Sequence, residues 1–198
     1  NKSVAEFGVE GKNIRFGFNA VKSMGRPTIT AIIEERTNNG DFHSMQDFIT
    51  RMAGVINKRT VEHLILAGAF DTFGNTRRGM MNVYERMIDS AVKQNKDAIS
   101  GQMSLFDFVS EEDKQSLEMK VPDIQEFEKE DLLEREKEVL GVYVTGHPLD
   151  EYTGMWEKHI SARSTDFLID EETGQAKLMN GSKQTIGGLI SNIKVITT

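Results

Sequence analysis

The hydrophobic and polar positions at the start of the chain alternate in a way that predicts a short β-hairpin. One alternating run ends at Val9, and a second begins at Ile14 and ends at Phe18. The polar stretch between them contains Gly11, and a glycine-containing turn between two runs of period two is typical of a hairpin. We therefore expect residues 1–18 to pair as antiparallel strands.

Helical spacing of apolar residues follows the hairpin. The first predicted helix begins near Pro27, because proline is tolerated in the first turn of a helix, and it ends before Gly40. A second helix is predicted over residues 44–52. Ser44 and Asp47 have the spacing of a capping box, in which two side chains satisfy backbone amides at the helix start.

Two further helices are predicted before residue 96. Asn57 is suited to cap the third, whose apolar stripe ends at Gly68, a residue typical of helix C-termini. Asn75 is expected to cap a longer fourth helix that continues to about Asn95. The apolar residues of this helix recur at intervals of three and four and form one inward face.

The second half of the chain has weaker patterns. Residues 97–122 are polar and acidic and predict a linker. Residues 123–160 predict a helical connector, with a long helix from Ile124 to Leu140 and a short one after it. Aliphatic and β-branched residues are frequent after Lys183 and predict a strand at the end of the chain.

Charge divides the chain into two unlike halves. The 198 residues have a formal net charge of −7, which by itself argues against binding to nucleic acid. Residues 1–100, however, contain 14 lysines and arginines against 11 aspartates and glutamates, whereas residues 101–198 contain 10 against 20. Only the first half is therefore suited to a polyanion, and the halves are expected to have separate partners.

Composition argues against several classes of site. The chain has no cysteine, so it has neither disulfides nor cysteine-based metal sites. Its four histidines lack metal-ligand spacing, and no nucleotide-binding loop or nucleophile elbow is present. No apolar run reaches the roughly 18 residues that cross a bilayer. We expect a cytoplasmic chain without an active site, and the lack of an initiator methionine favours a piece of a longer protein.

Two glycine-containing junctions between helices are candidate binding sites. A tight turn that opens a helix leaves backbone N–H groups unpaired at the positive end of the helix dipole, where a phosphate can bind. Basic residues flank both turns. The candidate DNA-binding residues are Lys22, Ser23, Gly25, Arg26, Gly68, Arg77 and Arg78. The alternative is that both turns are ordinary glycine caps with solvated basic neighbours.

A short motif within the linker is a candidate for binding a protein partner. Gln102 is followed by Leu105 and Phe106 in a polar stretch, where two exposed bulky side chains need an explanation. One amide side chain and two apolar anchors are suited to the groove of a partner. The alternative is that Leu105 and Phe106 fold back onto their own domain.

Several motifs, in order along the chain, resemble the alpha subunit of bacterial DNA polymerase III, a C-family replicative polymerase. The resemblance extends over nearly the whole chain. It is carried by residues 14–25 (IRFGFNAVKSMG), 40–42 (GDF), 47–48 (DF), 57–59 (NKR), 64–71 (LILAGAFD), 101–106 (GQMSLF), 136–143 (EKEVLGVY) and 145–149 (TGHPL). It departs at Ser23, where the family often has glycine, so that Gly25 is the one glycine left in the first turn.

The resemblance implies a mainly α fold whose hairpin, residues 1–18, comes from the end of the fingers domain. It divides the rest of the chain into a tandem helix-hairpin-helix domain (19–96), a linker with a clamp-binding motif (97–122), a helical connector (123–160) and the first strand of an incomplete OB-fold (161–198). An OB-fold needs five strands, more than this last part can supply.

The resemblance also implies a function. The parent protein would be a DNA-directed DNA polymerase, a nucleotidyltransferase whose catalytic aspartates and Mg²⁺ lie in a palm domain, so this chain would need no cofactor. Its hairpins would bind the backbone of duplex DNA. Gln102, Leu105 and Phe106 would bind the sliding clamp, the beta subunit, and so support processive synthesis. Other subunits of the polymerase III holoenzyme would be partners. A free-standing helix-hairpin-helix module and a helical adaptor without DNA contact are the alternatives.

Overall fold

The structure of the chain is a computed structural model that describes residues 1–99, 119–171, 173–190 and 193–196. The chain divides into two units, Asn1–Thr145 and Gly146–Thr198. The described residues are mainly helical and contain a two-stranded antiparallel sheet. The predicted mainly α fold with an N-terminal hairpin is therefore confirmed.

The N-terminal hairpin is formed by strands β1 (Gly8–Glu10) and β2 (Asn13–Arg15). In their antiparallel register Val9 lies opposite Ile14. Gly11 in the turn has φ 63°, a left-handed conformation that glycine adopts without strain. The strands have three residues each and are shorter than the alternating pattern predicts.

Seven α-helices lie within the described residues. They are α1 (Arg26–Asn39), α2 (Met45–Arg51), α3 (Lys58–Leu66), α4 (Arg77–Met81), α5 (Tyr84–Ile99), α6 (Lys129–Leu140) and α7 (Thr153–His159). Short 3₁₀-helices lie at Phe18–Ala20, Asp71–Phe73, Asp150–Tyr152 and Ser164–Phe167. Helices α1 to α6 belong to the first unit, and α7 belongs to the second.

The ends of α1, α2 and α3 follow the predicted signals. Gly40 follows α1 with φ 83°. The Ser44 hydroxyl accepts a hydrogen bond from the Asp47 amide at 3.0 Å, and the Asn57 side chain accepts one from the Thr60 amide at 2.9 Å. Such caps satisfy amides that have no partner inside their own helix.

The predicted fourth helix consists of two helices, and its cap is Thr76 rather than Asn75. The Thr76 hydroxyl accepts a hydrogen bond from the Gly79 amide at 3.0 Å at the start of α4. The chain then turns at Asn82 and continues as α5. The apolar spacing stays helical across this break, so the sequence pattern did not predict it.

A hydrophobic core holds the first unit together. It combines side chains from α1, α2, α3, α4 and α5, and its largest fully buried members are Ile32, Met45, Ile49, Met52, Leu64, Ile65, Met80 and Met87. The rings of Phe42, Phe48 and Phe70 pack in series at centroid distances of 5.0 and 5.1 Å. Burial of this apolar surface is the main favourable contribution to folding.

Residues 119–128, which precede α6, belong to the first unit and have no regular secondary structure. Met119 and Val121 lie against the hydrophobic core. The Thr76 hydroxyl donates a hydrogen bond to the Ile124 carbonyl at 3.1 Å. The end of the predicted linker is therefore packed on the core. The helix that we expected to begin at Ile124 begins at Lys129, the first residue of α6.

Helix α6 packs against α3, although we predicted it to belong to a separate connector of residues 123–160. Leu133, Glu136 and Val139 recur every three residues along α6 and are buried. The predicted connector is therefore divided between the two units at Thr145. Buried positions on one face of α6 thus pack it against the helices of the first unit.

The second unit has few buried side chains. Among its described residues Ala162 is the one buried hydrophobic residue. The strand predicted for the end of the chain is not formed by the described residues 183–190 and 193–196. The Thr185 carbonyl instead accepts a hydrogen bond from the Ser161 amide at 3.0 Å. Strand-forming residues need a neighbouring strand for their ladder, and the described residues supply none.

Candidate nucleic-acid interface

The first glycine-containing turn, residues 22–25, has a strained backbone. Ser23 has φ 64° and is the one non-glycine residue with positive φ in the described part of the chain. This conformation costs an L-residue about 1–2 kcal/mol, whereas glycine adopts it freely. The family that the sequence resembles often has glycine at this position. Ser23 keeps the left-handed conformation of the turn, but its backbone is strained there.

The turn presents unpaired amides at the start of α1. Four N–H groups donate no hydrogen bond to any residue that the structure describes: those of Ser23, Gly25, Arg26 and Thr28. They lie at the positive end of a 14-residue helix, where a negatively charged group is stabilised. The side chains of Lys22 and Arg26 are exposed beside them. Hydrogen-bond donors and positive charge therefore coincide at one place on the surface.

Two other helices hold the backbone of Lys22. Its N–H donates to the Val139 carbonyl near the end of α6 at 2.9 Å. Its carbonyl lies 2.7 Å from Nδ1 of His63 on α3, so Nδ1 of the imidazole is the protonated nitrogen that donates this bond. No sequence pattern indicates these contacts, because each joins residues that are far apart in the chain.

The second glycine-containing turn follows α3 and uses its amides differently. Gly68 has φ 74°, and its N–H donates to the Ile65 carbonyl at 2.9 Å. The Ala69 N–H donates to the Leu64 carbonyl, also at 2.9 Å. This pair of bonds is a Schellman motif, which ends a helix by satisfying its last carbonyls. Two amides of the second turn are thus already paired.

The sequence predicts a phosphate contact for Arg77, but its side chain is 4% exposed and directed into the protein. The guanidinium donates hydrogen bonds to Asp71 at 2.7 Å, to the Leu66 carbonyl at 2.9 Å and to Glu136 at 3.4 Å. Burial by itself lowers the pKa of Arg77, but the hydrogen bonds and charges of Asp71 and Glu136 outweigh burial and raise it. The expectation that Arg77 contacts a phosphate directly is therefore corrected. Its buried guanidinium instead stabilises the second turn through hydrogen bonds within the protein.

A carboxylate of the chain itself occupies the start of α4. The Glu126 side chain accepts hydrogen bonds from the Arg77 amide at 2.7 Å and from the Arg78 amide at 2.9 Å. A helix start is suited to an anion, and here Glu126 supplies it. The Arg78 side chain is exposed nearby, so it is the accessible basic side chain among the predicted residues of the second junction.

The predicted partner-binding motif of Gln102, Leu105 and Phe106 lies outside the described residues. Within the described ranges, no group of three or more histidines, aspartates and glutamates is arranged to hold a metal ion. The same ranges contain no helix with the length and apolar character needed to span a bilayer. Among the described residues, the candidate binding groups are therefore those at the two glycine-containing turns.

The first 80 residues match the family model described as helix-hairpin-helix motif. The chain is 32% identical over 199 residues to the DNA polymerase III subunit alpha of Borreliella burgdorferi, an alignment that covers all of this chain. It is 35% identical over 188 residues, or 87% of its length, to that of Chlamydia pneumoniae. Over 200 residues and all of its length it is 32% identical to that of Vibrio cholerae. The chain is homologous to part of the DNA polymerase III alpha subunit.

The chain spans between 15 and 17% of the length of these polymerase III alpha subunits. The relationship to polymerase III alpha that the sequence motifs predict is confirmed by these matches. The helix-hairpin-helix match of residues 1–80 contains both glycine turns and ends within α4. The similarity to polymerase III alpha continues beyond this match, through α6 and into the second unit.

Proposed function

We propose that the chain is a non-catalytic, DNA-binding segment of a DNA polymerase III alpha subunit. The observation that carries this proposal is the first turn, where unpaired amides at the start of α1 lie beside the exposed side chains of Lys22 and Arg26. Phosphates of a duplex backbone have the charge and the acceptor oxygens that suit such a site. Contacts to phosphates do not depend on base sequence, as replication requires.

At the first turn, the amides of Ser23 and Gly25 and the side chains of Lys22 and Arg26 bind a phosphate together. At the second junction Arg78 is exposed and contributes positive charge, whereas Gly68 supplies the shape of the turn. The excess of basic over acidic residues in residues 1–100 supports the same assignment.

The parent protein, by this proposal, is a DNA-directed DNA polymerase of the cytoplasm, and its catalytic Mg²⁺ is held in another domain. The segment supports synthesis by holding the duplex. Homology over the whole chain favours this function over a free-standing helix-hairpin-helix module, which would not explain a similarity that continues through the second unit.

The duplex-binding proposal is tested by fluorescence anisotropy with labelled DNA at several salt concentrations. Substitution of Lys22→Ala with Arg26→Ala is expected to weaken binding about tenfold and to reduce the salt slope by about two, one for each lost phosphate contact. Arg86→Ala with Lys93→Ala removes the same charge from exposed positions of α5 and serves as the control. Equal losses in both double variants would contradict a phosphate site at the first turn.

We further propose that Gln102, Leu105 and Phe106 bind the sliding clamp. Their support is the pattern of one amide and two apolar anchors in a polar stretch, at the place where the resembling family has its clamp motif. Tethering to a ring around DNA makes rebinding intramolecular and so increases processivity. Other holoenzyme subunits are further partners.

The clamp proposal is tested by calorimetric titration of the chain with the beta subunit. The triple substitution Gln102→Ala, Leu105→Ala and Phe106→Ala is expected to abolish binding, while Ser104→Ala within the same motif leaves it unchanged. Equal affinity of the triple variant and the wild type would remove the assignment.

The division into a tandem helix-hairpin-helix domain and the start of an OB-fold at residues 161–198 is also a proposal. It is supported by aliphatic side chains in the tail that are largely exposed, as in Ile190 and Val195, and that a pairing strand would cover. In a longer polymerase chain the amides of residues 183–198 should become protected from hydrogen exchange. Exchange as fast as in an unfolded peptide would contradict the OB-fold assignment.

A further inference from the structure

Helix α6 reaches both glycine turns of the first unit. At its C-terminal end the Val139 carbonyl, which has no partner inside the helix, accepts the N–H of Lys22 in the first turn. One helical turn earlier, Glu136 forms an ion pair of 3.4 Å with Arg77, which supports the second turn. Positions three residues apart lie on the same side of a helix, so this side of α6 contacts the first turn directly and the second turn through Arg77.

Glu136 is fully buried, and its carboxylate is satisfied by several donors. Besides Arg77, it accepts hydrogen bonds from the Val144 amide at 2.7 Å, from the Thr145 amide at 2.9 Å and from the Thr145 hydroxyl at 3.2 Å. A buried carboxylate requires such compensation, because removal from water is unfavourable for the charge. Glu136 therefore holds Arg77 and the segment after α6 in place together.

Arg77 connects Glu136 to the second turn. Its Nη1 also donates to the carbonyl of Leu66, the last residue of α3, and its Nε donates to Asp71 at 3.0 Å just beyond the turn. A Cβ at Gly68 would lie 2.2 Å from Nη2, so the guanidinium packs directly against the turn. Glu136, together with Asp71, thus fixes where the Arg77 guanidinium lies against the second turn.

We infer that Glu136 is a positioning residue for DNA binding, and that through Arg77 and α6 it holds the two turns at a separation suited to the phosphates of one duplex. This inference rests on the proposed DNA-binding function. The first turn and the exposed Arg78 beside the second turn add their affinities only when their separation matches the phosphates of the duplex. When that separation is set before binding, the protein does not lose conformational entropy by ordering the two groups. The partner is the sugar-phosphate backbone, with no base read.

The decisive comparison is between Glu136→Gln and Glu138→Gln in the full 198-residue chain, with duplex binding measured by anisotropy. Both substitutions remove one negative charge from α6, which by itself favours a polyanion, and Glu138 is exposed. Glu136→Gln is nevertheless expected to weaken binding about fivefold, while Glu138→Gln leaves it equal or slightly stronger. The salt slope should fall by about one in Glu136→Gln, because the exposed Arg78 beside the second turn loses its phosphate contact. A partly unfolded sample would lose amplitude but keep its slope.

Equal affinities of the Glu136→Gln and Glu138→Gln variants overturn the inference. If Glu136→Gln does not fold, Arg77→Lys decides. Lysine keeps the positive charge but cannot bind Asp71 through two nitrogens while a third donates to Leu66 and Glu136. Weaker binding than in the exposed control Arg86→Lys supports the inference, and binding equal to that control overturns it. Failure of the wild-type chain to bind duplex in a salt-dependent way contradicts the proposed function itself.

Discussion

Ser23 and Gly68 have similar left-handed backbones in the two turns but differ in what a side chain meets. Their φ angles are 64° and 74°. The Ser23 side chain is exposed, whereas a Cβ at Gly68 would lie 2.2 Å from Nη2 of Arg77. Strain at Ser23 is therefore removable, but glycine at position 68 is required by both conformation and space.

Ser23→Gly is expected to raise the free energy of unfolding by about 0.5–1 kcal/mol, because glycine adopts a left-handed φ without strain. Ser90→Gly is the control, since it lies inside α5 at negative φ and should lower the stability by a similar amount. Urea unfolding followed by circular dichroism measures both. A loss of stability in Ser23→Gly would show that position 23 is not strained.

Gly68→Ala is expected to lower the free energy of unfolding by about 2–4 kcal/mol, since both the φ angle and the Arg77 side chain oppose a Cβ. Gly74→Ala shares the left-handed φ of 80° but has no atom within 4 Å of the added Cβ, so about 1 kcal/mol is expected. Thermal unfolding compares the two. Equal losses would mean that contact with Arg77 has no energetic effect.

At the scale of elements, helix ends are satisfied by segments distant in sequence. The start of α4 uses Glu126, and the end of α6 uses the amide of Lys22. Sequence signals located the starts of α1, α2 and α3 because Pro27 in the first turn of α1 and the caps Ser44 and Asn57 all lie within a few residues of the helix start. The start of α4 was predicted less well, because part of its cap comes from a residue about fifty positions later.

Glu126→Gln is expected to lower the free energy of unfolding by about 1 kcal/mol, because the α4 amides lose a charged acceptor at a helix N-terminus. Glu134→Gln, an exposed change of the same charge within α6, should have little effect. Differential scanning calorimetry gives both values. Indistinguishable melting temperatures would argue against Glu126 as a stabilising cap.

At the scale of the whole molecule, the two units differ in how much core they contain. The first unit has the hydrophobic core formed by α1 to α5, whereas the described part of the second has Ala162 as its one buried hydrophobic residue. A small buried core cannot offset much conformational entropy. The second unit is therefore expected to be the less stable of the two.

Unfolding in urea should give two transitions that do not coincide. Trp156 is the one tryptophan of the chain and lies in the second unit, so its fluorescence reports that unit. Far-ultraviolet circular dichroism reports mainly the helices of the first unit. The fluorescence midpoint is expected at lower urea than the dichroism midpoint. Coincident curves would show that the chain unfolds as one cooperative structure.

The amino-acid sequence by itself determined the local elements of the chain and its similarity to the polymerase III alpha subunits. Three features depend on residues that are close together in the chain and are therefore visible in one sequence: the hairpin turn at Gly11, the capped starts of α2 and α3, and the order of the polymerase III alpha motifs.

The tertiary structure alone decided which charges are accessible. Arg77 and Arg78 are neighbours in an equally basic pair, yet one is buried against Glu136 and the other is exposed. Part of that difference comes from Glu136, about sixty positions away, because burial depends on packing between segments and not on local spacing alone.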